Sequence, residues 1–335
     1  MAGVSEATVS RVFNNVKPLR EETKQKVLEA ARKLNYQPNA LAQSFATGKS
    51  GNIGVIVPYL PKVNVISTHY FSEILGGIGM VLAENNYNLL LIFQSPQEPK
   101  NYIQLFNSQK IDGCIILGSK DVPGEKEEID MLHQFSHPYC LVNQTFKGHS
   151  FHSIDAEHYK GSFEAVSLLL KKDFRKIAFL NGPSEYSNST ERLKGYQDAL
   201  NSFGINPHSK WIFCGNYSRT SGFQTASQMA MMMEHIDAVF AANDRMAIGL
   251  MQGLKNHGYT VGKDYALIGY DDSDVATMVQ PQLSSVHVPL FEMGKRAAEV
   301  VLNTLLKGHT TPFLEKLPVT LIERDSTNHL MKEMA

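Results

Sequence analysis

From Ile53 onward the chain alternates short, nearly continuous apolar runs with stretches of helical periodicity, and no other feature limits its fold so tightly. The runs are IGVIVPYL, NLLLIF, DGCIILG, YCLVNQ, KIAFLNG, WIFCG, DAVFAAND, YALIGYDD and SSVHV. Helix-patterned stretches such as YFSEILGGIGMVLAENN, ERLKGYQDALNSFG and RMAIGLMQGLKNHG fall between most of them. A strand that is apolar on both sides must be covered on both sides, which means a parallel sheet with helices above and below it. So many strands exceed one modest sheet. The pattern therefore predicts an α/β body of two lobes, each a doubly wound parallel sheet. A ligand of such a body sits beyond the carboxyl ends of the strands, here in the crevice between the lobes.

The residues before Ile53 follow a different logic. In VSEATVSRVFNN, Ser5 suits a helix N-cap, because its hydroxyl can accept a bond from an unpaired first-turn amide. Val9, Val12 and Phe13 recur at helical spacing and point inward. Glu6, Ala7, Thr8, Ser10 and Arg11 are left as a small, polar outer face. KPLREETKQKVLEAARKLNYQP reads as a turn at Pro18 and a second helix, with Val27, Leu28, Ala31 and Leu34 as its apolar stripe. NALAQSFATGKSGN is a short helix-capable piece that runs into a linker at Gly48, Ser50 and Gly51.

Charge divides the chain in the same place. The formal net charge is −1, which argues against a uniformly basic nucleic-acid binder. Residues 1–49, however, hold eight Lys/Arg and four Glu, a net of +4, which leaves −5 on the rest. A small basic head on a larger acidic body fits a nucleic-acid-binding module joined to a different kind of domain. A solvated charged helix with no partner is the plainer alternative.

Other classes are excluded or disfavoured. No apolar run approaches the roughly 20 residues of a membrane-spanning helix, and the start lacks a basic-then-apolar secretory pattern. The expectation is a cytoplasmic protein with no membrane partner. Cys114, Cys140 and Cys214 lie far apart, without CxxC or a metal-like cluster, and read as buried free thiols. GxSxG, HExxH, P-loop and GxGxxG motifs in a convincing context are absent. The expectation is no enzyme, no cofactor and no metal. An exported sugar-binding protein would share the body, but it would need a signal peptide and would not need a basic head.

The segments AGVSEATVSRVFNN, AARKLNYQPNALAQSF, IGVIVP, GYQDAL, AANDRMAIGLMQ and IGYDDSDVATMVQPQLSSV occur in the order and spacing of the lactose/galactose repressor (LacI/GalR) family of bacterial transcription regulators. The resemblance runs through nearly the whole chain, to LPVTLIERDST. It implies a helix-turn-helix headpiece over residues 1–37, and a hinge helix with linker over 38–51. It also implies a periplasmic-binding-protein-like body, with an N-terminal lobe of 52–153 plus 285–315 and a C-terminal lobe of 154–284 plus 316–327. The implied partners are operator DNA, a second copy of the chain in a homodimer, and a small effector between the lobes. The family also places a helix ahead of Ala2, so the chain as given is expected to start at the turn and to bind DNA poorly.

On this resemblance VSEATVSRVFN is the recognition helix, with its early residues against base edges in the major groove. Glu6, Ala7 and Arg11 are expected to read bases, since Arg can bond guanine bidentately and a carboxylate can accept from cytosine. Thr8, Ser10 and Asn14, with the capping Ser5, are expected near phosphates. In the hinge, Phe45 stands where the family usually has leucine; an aromatic wedge can part a base step from the minor groove. Asn39 and Gln43 are expected to make groove or phosphate contacts beside it.

A sugar offers hydroxyls to polar side chains and C–H faces to rings, so its pocket needs Asp, Asn, Arg and aromatic residues at strand ends. Asp271, Asn243 and Arg192 match the family's effector positions. Tyr217 falls where the family places an aromatic platform, and Tyr70, Phe71 and Asn143 cover the ligand from the N-terminal lobe. Asp244 and Asp155 read as caps or crossover residues instead. The implied function is a sequence-specific transcriptional regulator, a repressor of a carbohydrate-use operon, switched by a sugar or sugar phosphate. The alternatives are a purine effector, or a sugar- or purine-binding protein with weak or no DNA binding.

Overall fold

The computed structural model describes residues 1–13, 18–36, 48–59, 65–95, 98–308 and 311–328. Asn14, Asn39, Gln43 and Phe45 lie outside the described residues. The basic head begins with helices α1 (Glu6–Phe13) and α2 (Glu21–Lys33). Ser5 caps α1 as expected: its hydroxyl accepts from the Thr8 amide at 3.3 Å and pairs with the Thr8 hydroxyl at 3.0 Å. Val12 and Val27 are buried, and the Phe13 ring tilts against Tyr36 with centroids 5.5 Å apart. Leu34 does not continue the apolar stripe of α2. It sits at the C-cap and is 58% exposed.

The body has two six-stranded sheets. The first is built from β1 (Asn52–Pro58), β2 (Asn88–Gln94), β3 (Gly113–Leu117), β4 (Tyr139–Val142), β5 (Ser153–Ala156) and β11 (Leu314–Leu317). Its strands run in the order β11-β5-β4-β3-β1-β2, and every pairing is parallel. The second holds β6 (Ile177–Asn181), β7 (Ile212–Cys214), β8 (Ala238–Ala241), β9 (Ala266–Asp271), β10 (Ser284–His287) and β12 (Thr320–Ile322). Its order is β12-β10-β9-β8-β6-β7, and only the β10–β12 pairing is antiparallel.

The continuous apolar strands are explained by the two cores they feed. Alternate side chains of a strand point to opposite faces, so Ile53, Val55 and Val57 of β1 enter the main core. Ile56 enters a second, smaller core with Cys114, Ile116 and Leu141. That smaller core lies under α4 (Tyr102–Asn107) and α5 (Pro123–Gln134). On the other face, α3 (His69–Glu84) packs along α10 (Leu290–Lys307), which also lies on β3, β4 and β5. The two helices touch backbone to backbone. A Cβ on Gly294 would fall 2.1 Å from the Ile74 carbonyl oxygen, so this crossing tolerates no side chain there. The second sheet is covered by the pair α6 (His158–Lys171) and α7 (Ser187–Ser202), and by the pair α8 (Arg219–Ala230) and α9 (Asp244–Asn256).

The chain passes between the lobes three times: after β5, after β10 and between β11 and β12. The expected boundaries at 153/154, 284/285 and 315/316 fall a few residues early, because β5, β10 and β11 each complete their own sheet before crossing. Cys114 and Cys140 are buried as expected, whereas Cys214, at the end of the edge strand β7, is exposed.

Candidate functional site

The carboxyl ends of the inner strands open onto a cavity of about 160 Å³ between the lobes. All seven cleft candidates line it: Tyr70, Phe71, Asn143, Arg192, Tyr217, Asn243 and Asp271. The first lobe contributes the start of α3 and the residue after β4. The second contributes α7 and the loops after β7, β8 and β9. The Tyr70 and Phe71 rings meet edge to face, with centroids 4.9 Å apart, and form the aromatic side of the first wall.

Three of the seven have left-handed backbones: Asn143 with φ 60°, Tyr217 with φ 64° and Asp271 with φ 95°. A bulky residue at positive φ is strained, and such strain concentrates where a side chain must be aimed. The aim of Asp271 is fixed by its neighbour. The Asp272 amide donates to Ser285 Oγ at 3.0 Å, and its carboxylate accepts from Arg324 at 2.7 Å. No hydrogen bond or ion pair among the described residues takes up the Asp271 carboxyl, which therefore does not form an internal pair with Arg192. Burial pushes the Asp271 carboxyl up to about 7, with Arg192 and Arg245 pulling down and Asp244 pushing up.

Arg192 is on the second turn of α7, not at its start. It is 3% exposed and held on three sides. Nη1 donates to the Ala242 carbonyl at 2.7 Å, Nη2 lies 3.2 Å from His158 Nδ1, and the guanidinium covers the Tyr270 ring at 3.9 Å. Nε is buried without a hydrogen-bond partner. Because a guanidinium can only donate, His158 Nδ1 must accept and its proton sits on Nε2. That nitrogen lies 2.7 Å from Asn143 Oδ1 and 3.4 Å from Asp155. The neutral ring follows: burial, then Arg192, hold the His158 pKa below its ordinary value. A relay of Asp155, Asn143, His158 and Arg192 thus joins the two lobes behind the cavity.

Two readings of individual residues change. Asn243, not Asp244, caps α9: its Oδ1 accepts from the Met246 amide at 2.9 Å, and its Nδ2 donates to the Tyr217 carbonyl at 3.1 Å. Most of its polar capacity is spent on the loop that presents Tyr217. Asp244 is buried and accepts from the Ser273 amide and hydroxyl and from Ser285 Oγ, at 2.7, 2.8 and 2.6 Å. Asp155 is a strand residue of β5, within 3.6 Å of Lys316, rather than a cap. Tyr217 is clamped by Asn188 and Ser189 through its hydroxyl, and a Cβ on Gly182 would lie 2.1 Å from its ring.

The cavity also takes in His69, Tyr186, Asn188, Asn216 and Arg245, which the sequence reading passed over. Arg245 carried a signal, because it directly follows the two residues already singled out. Among the described residues no three His, Cys, Asp or Glu are placed to hold a metal, and no helix is long and apolar enough to cross a membrane.

On α1, Ser5, Glu6, Ala7, Ser10 and Arg11 are exposed and Thr8 is half-buried. The outer face expected of a base-reading helix is open to solvent.

Residues 1–39 match the lacI family of bacterial regulatory proteins, and residues 166–327 match a periplasmic binding protein-like domain. The HTH-type transcriptional regulator AscG of Escherichia coli is 32% identical over 327 residues, covering 97% of this chain and 95% of its own. Among solved structures, the Lac repressor dimer bound to operator and the anti-inducer ONPF superimposes with a TM-score of 0.82 at 26% identity, covering 98% of this chain and 96% of the other. The complex of the transcriptional regulator CelR with cellobiose gives a TM-score of 0.74 at 26% identity, covering 97% of each chain. With this coverage by relatives that pair the same head with the same body, the chain belongs to the lacI family of bacterial regulatory proteins.

Proposed function

We propose that this protein is a sequence-specific, DNA-binding transcriptional regulator of carbohydrate-use genes, acting as a cytoplasmic homodimer whose operator affinity is set by a sugar or sugar phosphate held between the lobes. The observation that carries the reading is the convergence of Arg192, Asp271, Asn143 and the Tyr70, Phe71 and Tyr217 rings on one cavity. These side chains suit a ring that bears hydroxyls at its edge and C–H groups on its faces. On this reading Glu6, Ala7 and Arg11 meet base edges and Ser5, Thr8, Ser10 and Asn14 lie near phosphates, with Asn39, Gln43 and Phe45 at the minor groove.

An effector can shift the protein only by binding one lobe arrangement better than another. Closure around the ligand draws Asn143 toward Arg192 and Asp271, moves the N-terminal lobes of the dimer, and separates the two hinges so that Phe45 leaves the duplex. A co-repressor would use the same parts with the opposite sign. The test is a mobility shift with a palindromic operator. Sugar-sensitive retardation is expected. Retardation that ignores every sugar but answers to purines would replace the effector class, and retardation indifferent to both would reject the switch.

A further inference from the structure

The cleft lining carries two arginines and two aspartates, and their bonding is uneven. Asp244 has its oxygens taken up by three uncharged internal donors, and Asp271 faces Arg192 and Arg245. Arg245 lines the cavity half-buried, with no hydrogen bond or ion pair among the described residues. Its position is also electrostatically strained: burial disfavours its charge, and Asp271 offsets part of that. Arg245 is the second residue of α9, and Arg219, whose like charge bears on it, is the first residue of the neighbouring α8. Helix N-termini carry partial positive charge and attract anions, so cations in two adjacent first turns oppose both helix dipoles and each other. Arg219 is satisfied by Gln252 at 2.9 Å, but Arg245 is left facing the cavity. Arg192 Nε, in a side chain 3% exposed, is likewise a donor without a hydrogen-bond partner.

We propose that the effector is a carbohydrate carrying an oxyanion, a phosphate ester or a carboxylate, and that Arg245 is the residue that selects for it. A planar guanidinium matches two oxygens of either group, and the bond is charge-assisted at both ends. The hydroxyl-bearing part of the ring then lies toward Asp271 and Asn143, and the anion lies at the α8–α9 end, where it offsets the cations and completes both helix termini. This deepens the reading of the cleft as a carbohydrate site and rests on it.

The test is calorimetric titration of the full chain with a panel of hexoses, their 6-phosphates and their uronates, with inorganic phosphate alone as a further probe. The 6-phosphate or the uronate of one sugar should bind about tenfold or more tightly than the neutral parent, equivalent to one charge-assisted contact. Which of the two binds identifies the oxyanion. R245Q should remove that preference, and R245K, which keeps the charge but loses the fork, should keep part of it. A neutral hexose that binds as well as its acidic derivatives overturns the inference while leaving the carbohydrate reading intact. A panel in which no sugar of any charge binds overturns both. The wild-type comparison decides the matter even where R245Q fails to fold.

Discussion

The two walls of the cleft are made differently. The second lobe presents charged and polar groups already fixed in place: Arg192 on three partners, Tyr217 clamped at its hydroxyl, and Asp271 aimed by the anchoring of Asp272. The first lobe presents two half-buried rings at the start of a helix, and a single amide, Asn143, that is tied to His158 of the other lobe. On the proposed reading, one wall recognises and the other covers. Preorganised polar groups lose little on binding a ligand that matches them, so the second lobe should supply most of the affinity and the first lobe most of the movement.

The sharpest way to break this contrast is to substitute Arg192. R192A should abolish ligand binding in calorimetry. It should also lower stability in denaturant titrations by about 1–3 kcal/mol, the cost of leaving the buried Ala242 carbonyl without its donor; His158 Nδ1 keeps the Tyr270 hydroxyl at 3.3 Å. Binding that survives would mean the second lobe is not the recognising one. Next in size, D271A should remove the effector response of the mobility shift by about 2–5 kcal/mol of coupling, the range for a charged group taken from a buried polar contact. An unchanged response would reject Asp271 as a ligand contact. On the covering wall, F71A should weaken binding by only about 1–3 kcal/mol, the worth of a partly buried ring face. A loss as large as that of R192A would erase the distinction between the walls.

The smallest effects are in pH dependence, and they have opposite signs in the two side chains concerned. Burial pushes the folded Asp271 carboxyl up to about 7, against its ordinary 3.8. Between those values the folded state keeps a proton that the unfolded chain releases, so this residue makes stability fall as pH rises. His158 is held below its ordinary 6.5. The unfolded chain then takes up a proton that the folded state refuses, and this residue makes stability fall as pH drops below 6.5. Thermal unfolding from pH 4 to 8 should show the first slope reduced in D271N and the second reduced in H158Q. Variants whose curves run parallel to the parent would show that neither group is held as described.

The sequence revealed the body and the residues of the cleft more readily than it revealed their roles. Nine of the twelve strands announce themselves as apolar runs, the inner ones because both of their faces are buried, while the edge strands β2 and β7 are apolar though partly exposed. The three it missed are short and poor in that signal. β5 reads Ser-Ile-Asp-Ala, with a buried acid in its middle, and β11 alternates exposed Leu314 and Lys316-containing positions at a sheet edge. β12 is three residues long and pairs antiparallel. The seven cleft positions were legible because strand ends and the family resemblance pointed to the same places. What could not be read was which neighbour took which bond. Asn243 and Asp244 are adjacent, and either could have capped α9; only the positions of Met246, Ser273 and Ser285 decide it. His158 gave no signal at all, since its importance comes from residues 15 and 34 positions away. Expectations for Asn14, Asn39, Gln43 and Phe45 fall outside the described residues.

Three segments of chain pass from one lobe to the other, and they join neighbouring strands: β5 and β11 are adjacent in the first sheet, and β10 and β12 in the second. A body strung on one or two cords could slide or twist freely, but three side by side act like the pins of a door and leave essentially one way to swing. Lys316, reaching from β11 to Glu191 on α7, latches the same edge. On the proposed reading, a ligand at the open edge therefore does not need to push anything toward the head. It has only to choose the angle at which the door rests, and the rest of the molecule is carried along.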